Sequence, residues 1–211
     1  MDLRSRFSEV VTTEEQFRAV MGSPSSGVVK KEIATLDSHA RAFIAKSPFV
    51  LIGTSGADEH MDVSPKGDPP GFVQVLDETT LAIPDRLGNR RADTFKNLLA
   101  NDHIGLIFLI PGKQETLRVS GRALIVRDQS LRERMAVRGK LPDFAIVVAV
   151  DRMFFHCAKC IIRSNLWDQK AWPNLSDLPS LAETMVSAGK LDRSVADQQV
   201  LIDKDAETRL Y

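Results

Sequence analysis

Four cations sit where short apolar runs end in polar, glycine-bearing turns. Lys66 lies in the run Val63-Ser64-Pro65-Lys66-Gly67-Asp68-Pro69-Pro70-Gly71-Phe72, and Arg86, Arg90 and Arg91 lie in Ile83-Pro84-Asp85-Arg86-Leu87-Gly88-Asn89-Arg90-Arg91. A phosphate needs several converging donors from guanidinium, ammonium and backbone N–H groups held in a preformed turn. A helix entered at Arg91 would add its first N–H groups and its dipole. Residue types alone fit a phosphate site and a solvated set of turn charges equally well, since Asp68, Asp85 and Asp93 stand nearby as counter-ions.

The remaining chemistry-bearing residues exclude more than they propose. Neither G-x-G-x-x-G nor G-x-x-x-x-G-K-[ST] occurs, which argues against a nucleotide held by those devices, and no G-x-S-x-G elbow surrounds a serine. His39, His60 and His103 are scattered. His156, Cys157 and Cys160 lie together without a second ligand pair, so no metal site is expected. Cys157-Ala158-Lys159-Cys160 has redox spacing, but the βαβ context of a thioredoxin is missing, and two buried, reduced thiols are expected. These are the two cysteines of the chain, so a disulfide framework is excluded.

The chain has 211 residues, of which 43% are hydrophobic, and 28 Lys and Arg offset 28 Asp and Glu. A balanced charge argues against nucleic acid as a general partner, so any anion recognition must be local. No apolar run approaches the roughly 20 residues that span a bilayer, and Met1-Asp2-Leu3-Arg4 opens no signal peptide. A cytoplasmic protein is expected, with no membrane partner.

The elements that must position the cations follow from periodicity and breakers. Thr13-Glu14-Glu15-Gln16 reads as a capping box before a helix carrying Phe17, Val20 and Met21, and Gly22–Gly27 ends it. Asp37 starts a second helix with Phe43 and Ile44 apolar, stopped at Ser47-Pro48. Strands are predicted at 49–54, 61–64, 72–76, 80–83, 103–110, 116–126, 145–150 and 153–156, with Gly121 marking a bulge or bend. Helices are predicted at 91–100, with Phe95, Leu98 and Leu99 buried, and at 128–138. Short connections and one inserted helix suit a small barrel better than a parallel sheet. The expectation is one α+β domain, mainly β: a helical lead-in over 1–47, a barrel core over 48–156 and a helical or loop segment over 157–211. The apolar runs at 104–110 and 145–150 ask for cover on both faces, part of which a second subunit could supply.

Taken in order, Asp62–Phe72, Leu81–Arg91, Thr116-Leu117-Arg118-Val119-Ser120-Gly121-Arg122-Ala123, His156-Cys157-Ala158-Lys159 and Arg163-Ser164-Asn165-Leu166-Trp167 resemble the pyridoxamine 5′-phosphate oxidase-like split-barrel flavoproteins. The likeness runs from about Phe49 to Trp167 and is greatest to the branch of FMN-dependent enzymes of unassigned substrate. It implies a split β-barrel homodimer with FMN in two interface clefts. Val63, Ser64, Pro65 and Lys66 would lie along the flavin and ribityl chain, and the segment carrying Ile83, Pro84, Asp85, Arg86, Asn89, Arg90 and Arg91 would take the phosphate. Thr116, Leu117 and Arg118 would reach the ring, typically from the other subunit, although Thr116 stands where the better-known oxidases often carry glutamine. Trp167 would border the cleft, with Lys159 and Arg163 facing an anionic substrate. The implied activity is FMN-dependent oxidoreduction with no catalytic side chain named. The alternatives are a flavin sensor or store, or a deazaflavin or haem in the same cleft. The arginine–histidine pair that helps hold pyridoxal phosphate in the oxidase itself has no counterpart, so that activity is not implied.

Overall fold

The computed structural model describes residues 3–211; Met1 and Asp2, where the expected lead-in begins, lie outside the described residues. The chain divides into two compact units, Met1–Ile33 and Ala34–Tyr211.

The first unit holds a 3₁₀ turn at Leu3–Arg6, helix α1 (Glu14–Met21) and a short helix α2 (Ser26–Lys30) that the Gly22–Gly27 breaker had masked. The capping box forms as expected: Thr13 Oγ1 accepts the Gln16 N–H at 3.4 Å, and Gln16 Oε1 accepts the Thr13 N–H at 3.3 Å. None of the unit's described side chains is buried, so α1 rests on its local caps rather than on a core.

The second unit is α+β. After α3 (Ser38–Lys46) come β1 (Phe49–Ser55), β2 (Met61–Gly67), β3 (Gln74–Val75), β4 (Thr80–Pro84), α4 (Asp93–Ala100), β5 (His103–Leu109), β6 (Thr116–Val126), α5 (Gln129–Arg134) and β7 (Ala145–His156). Next are α6 (Lys159–Ser164), a 3₁₀ turn at Gln169–Ala171, α7 (Leu181–Gly189) and α8 (Val195–Thr208). The seven strands make one sheet in the order β2-β1-β5-β6-β7-β4-β3, antiparallel at every ladder.

Strand alternation builds the core. Val50 and Ile52 of β1, Leu106 and Phe108 of β5, Leu117 and Val119 of β6, and Ile146 and Val148 of β7 all point into one cluster. The Asp37 carboxylate caps α3 by accepting the Ala40 N–H at 2.8 Å, which sets Ala40, Phe43 and Ile44 against that cluster. Burying a Phe or Ile side chain contributes about 1.5–3 kcal/mol. The opposite face of β5 is only half covered, at Gly105, Ile107 and Leu109, so the apolar run asks for less cover than its composition suggested.

Three expectations shift in detail. β2 runs through Pro65 to Gly67, because an edge strand loses no ladder bond at a residue without an N–H. The two strands foreseen at 145–150 and 153–156 are one, β7, continuous past a bulge. That bulge falls opposite Ser120/Gly121, with Ser120 paired to Arg152 and Gly121 to Val150. On α4 the buried side chains are Thr94 and Leu98, while Leu99 is 81% exposed. Among the described residues no helix is long and apolar enough to cross a membrane.

Candidate functional site

β2 and β3 end the sheet and share no ladder. The free edge of β2 faces the segment 85–93 instead, which runs beside it in the opposite direction. Arg86 meets Asp68 at one end, and the Thr94 hydroxyl donates to Asp62 Oδ2 at 3.4 Å at the other. Asp143 and Phe144, just before β7, form a third wall, and Phe144 meets Phe95 edge-on at 5.4 Å between ring centroids. The open cleft between these walls measures about 600 Å³, within the range of small-molecule sites. Val63, Ser64, Pro65, Lys66, Asp85, Arg86, Asn89, Arg90 and Arg91, nine residues singled out in the sequence, all line it.

Most of the gathered cations have counter-ions of their own. Lys66 Nζ stands 3.7 Å from Asp85 Oδ1, and Arg91 Nε donates to Asp93 Oδ2 at 2.7 Å. Arg86 donates through Nε to Asp68 Oδ2 at 2.5 Å and through Nη1 to the Met135 carbonyl at 3.0 Å. Its side chain is 16% exposed and that of Asp68 1%, so this pair fixes the loop within the fold. Tyr211 completes the arrangement. Its hydroxyl donates to Asp68 Oδ1 at 2.7 Å, its carbonyl accepts from Lys140 Nζ, and its ring lies beside the Arg86 and Arg138 guanidinium groups. Arg90 is exposed and has no ion pair or hydrogen bond among the described residues. The other three cations each have a carboxylate partner.

The backbone at this corner is unusual. Arg90 and Ala92 take φ of 60° and 57°, the left-handed region, at about 1–2 kcal/mol each for residues other than glycine. Ala92 is the N-cap of α4 and offers no side-chain acceptor, while Asn89 Oδ1 accepts the Arg91 N–H at 3.0 Å. The first turn of α4 thus meets the cleft without a side-chain cap, a conformation whose successive N–H groups favour an anion.

Burial raises the Asp85 carboxyl above the usual carboxylate range, and Lys66 opposes that shift without cancelling it. Ionised Asp85 therefore costs the fold stability. The protonated group's contribution is complete below the unfolded carboxylate pKa and is lost as pH rises through the raised folded value. Asp85→Asn is accordingly expected to lose less stability than the parent between mildly acidic and neutral pH. Urea melts of both proteins across that interval check this, and parallel pH curves would count against it.

The other singled-out residues lie elsewhere. Ile83 is fully buried in the core, and Pro84 is buried beside a smaller adjoining recess. Thr116 and Leu117 are 7% and 0% exposed, so of that trio only Arg118 presents its side chain outward, over the Phe154 ring at 5.1 Å. Thr116 pairs with His156, and α6 follows directly, bringing exposed Lys159 and Arg163 to the same end of the β6–β7 ladder. Trp167 is pinned there by its Nε1–H donating to the Lys113 carbonyl at 2.8 Å. None of Thr116, Leu117, Arg118, Lys159, Arg163 and Trp167 lines the β2 cleft. Within one chain the residues form two groups. Sequence reasoning missed Asp62, Thr94, Phe95, Asp143, Phe144 and Tyr211. Thr94 and Phe95 directly follow the cationic turn and Asp62 heads the run that carries Val63, which were usable signals, whereas Asp143, Phe144 and Tyr211 have none. Among the described residues no three His, Cys, Asp or Glu side chains cluster as metal ligands.

A family model described as pyridoxamine 5′-phosphate oxidase matches residues 36–157, and the chain belongs to that family. No curated protein matches the chain. Among solved structures it is similar to HupZ of Group A Streptococcus, at 18% identity over 56% of this chain and 92% of that one, with a TM-score of 0.46. A putative pyridoxamine 5′-phosphate oxidase from Lactobacillus delbrueckii shows 18% identity over 58% and 95%, with a TM-score of 0.47. An FMN-binding protein from Syntrophomonas wolfei shows 14% identity over 68% and 93%, with a TM-score of 0.45.

Proposed function

We propose that the protein is a cytoplasmic FMN-dependent oxidoreductase, acting as a homodimer on a small substrate other than pyridoxamine phosphate. The observation that carries the cofactor is the unpaired Arg90 beside an uncapped helix start, in a cleft of about 600 Å³. That donor set fits a phosphate monoester. Arg90 and the first N–H groups of α4 would hold it, aided by Arg91 and by Lys66 where these can share their carboxylate partners. Arg86 would position the loop and leave the phosphate to its neighbours. Val63, Ser64 and Pro65, along the free edge of β2, would flank the rest of the cofactor.

Bound FMN would supply hydride and electron transfer; the chain supplies placement and electrostatics. The division of site residues into two groups supports the dimer. Arg118, Lys159, Arg163 and Trp167 are absent from the cleft of their own chain, and an isologous two-fold contact can set one chain's group against the other's cleft. The half-covered outer face of β5 offers apolar surface for such a contact.

Titration with FMN, followed by flavin absorption and fluorescence, is the test. Arg90→Ala is expected to raise the FMN dissociation constant about tenfold or more, since a charge-assisted hydrogen bond contributes about 1.5–3 kcal/mol. Arg91→Ala should cost less, because Asp93 already engages that side chain. Riboflavin, lacking the phosphate, should not distinguish Arg90→Ala from the parent. Equal FMN affinity in the two proteins would move the phosphate elsewhere, and a protein that takes up no FMN would overturn the cofactor. Reduction of bound flavin by NADH or NADPH at turnover rates separates an oxidoreductase from a flavin store.

A further inference from the structure

Cys157 and Cys160 lie outside the cleft, and the expectation that both are buried is overturned: both are exposed. They follow the end of β7, where the chain leaves the sheet and turns into α6 before its first inward side chain, Ile161. The intervening residues set their separation. Ala158 is right-handed helical at φ −69° and ψ −11°, and Lys159 opens α6. A four-residue turn with both central residues in that region brings its outer Cα atoms within about 7 Å. A disulfide spans Cα separations of about 4.4–6.8 Å.

The turn is also held from both sides. His156 is paired in the β6–β7 ladder with Thr116, and the Ile162 N–H donates to the Ala158 carbonyl at 2.9 Å. Ile161, only 7% exposed, anchors the helix from below. Two solvent-facing thiols therefore stand on a fixed frame at a separation suited to bonding each other.

We propose that Cys157 and Cys160 form a reversible dithiol–disulfide pair that exchanges with low-molecular-weight disulfides. One protein thiolate attacks a sulfur of glutathione disulfide, forming a protein–glutathione bond and releasing one glutathione thiolate. The second protein thiolate then attacks the protein sulfur of that mixed disulfide, closing the Cys157–Cys160 bond and releasing the second glutathione. The protein gives up two electrons and two thiol protons, and glutathione disulfide is reduced to two glutathione thiols. The second step is intramolecular, so the mixed disulfide should not accumulate. This inference needs no cofactor.

The full-length protein, pre-reduced and desalted, is incubated with glutathione disulfide, quenched in acid and examined by intact mass and by alkylation of remaining thiols. The parent is expected to lose two hydrogens and both alkylatable thiols, with less than about a tenth carrying glutathione, and dithiothreitol should restore it. Cys157→Ser and Cys160→Ser, both at exposed positions, should each gain one glutathione and stop there. A parent that carries glutathione on one or both cysteines without closing the internal bond would overturn the proposal. So would a parent that stays fully reduced, whether or not the single variants react.

Discussion

Asp68→Ala is expected to cost about 3–5 kcal/mol of folding stability, the loss typical of removing one partner from a buried ion pair. The Asp68 carboxylate is 1% exposed and serves two donors, Arg86 Nε at 2.5 Å and the Tyr211 hydroxyl at 2.7 Å. Without it the Arg86 guanidinium, 16% exposed, keeps the Met135 carbonyl but loses its ion-pair partner. Desolvation of that cation supplies most of the loss, and the orphaned phenol adds a smaller part. Asp68→Asn should fall between the two proteins, because an amide oxygen can still accept one of the two bonds. Urea denaturation of the three proteins measures the series. A change under about 1 kcal/mol in Asp68→Ala would mean that the pair acts like an exposed surface bridge. Arg86 anchors the segment that carries Arg90, so the variant should also loosen the cleft.

Gly121→Ala is expected to destabilise by about 3 kcal/mol or more, at the upper end for overpacking. A Cβ on Gly121 would overlap the Ala149 carbonyl oxygen, and would lie 2.9 Å from the Ala149 carbonyl carbon and 3.2 Å from Val150 Cα. All three are backbone atoms of β7, the partner strand at the bulge, so no side-chain rotation can make room. Relief requires the β6–β7 ladder to shift where it bends, and eleven residues of β6 are registered on β7 through that point. Gly105→Ala is the matched control on β5, since nothing lies within 4 Å of its added Cβ. Its cost should stay near the roughly 1 kcal/mol or less of an ordinary strand substitution. Similar melting temperatures for the two variants would show that the bulge tolerates the methyl group.

Much of this fold was legible because its signals are local. The Thr13/Gln16 box, the Asp37 cap, the 116–126 strand and its bend at Gly121 each depend on a few adjacent residues. The 85–91 turn was legible as a set of cations, and its three acidic neighbours were legible as counter-ions, which is how Asp85, Asp68 and Asp93 are placed. What could not be read is long-range. Nothing near Arg86 announces that Met135 and Tyr211 will hold it, and nothing near Phe95 announces Phe144. The cysteines were misjudged because cysteine is usually buried, and no local pattern shows that α6 leaves the sheet before its first inward residue, Ile161. Leu99 was misplaced because α4 lies on the sheet through Thr94 and Leu98, one position round from the assumed face.

The Tyr211–Asp68 hydrogen bond bears on the order of assembly. It joins residues 143 positions apart, and closing a loop of that length carries an entropy cost that the near-neighbour β1–β2 and β3–β4 pairings avoid. During synthesis Asp68 and Arg86 are made long before Tyr211, and the Arg86 ring contact and the second acceptor on Asp68 stay unused until it arrives. The ion pair under the cationic turn therefore gains the last of its partners late in synthesis.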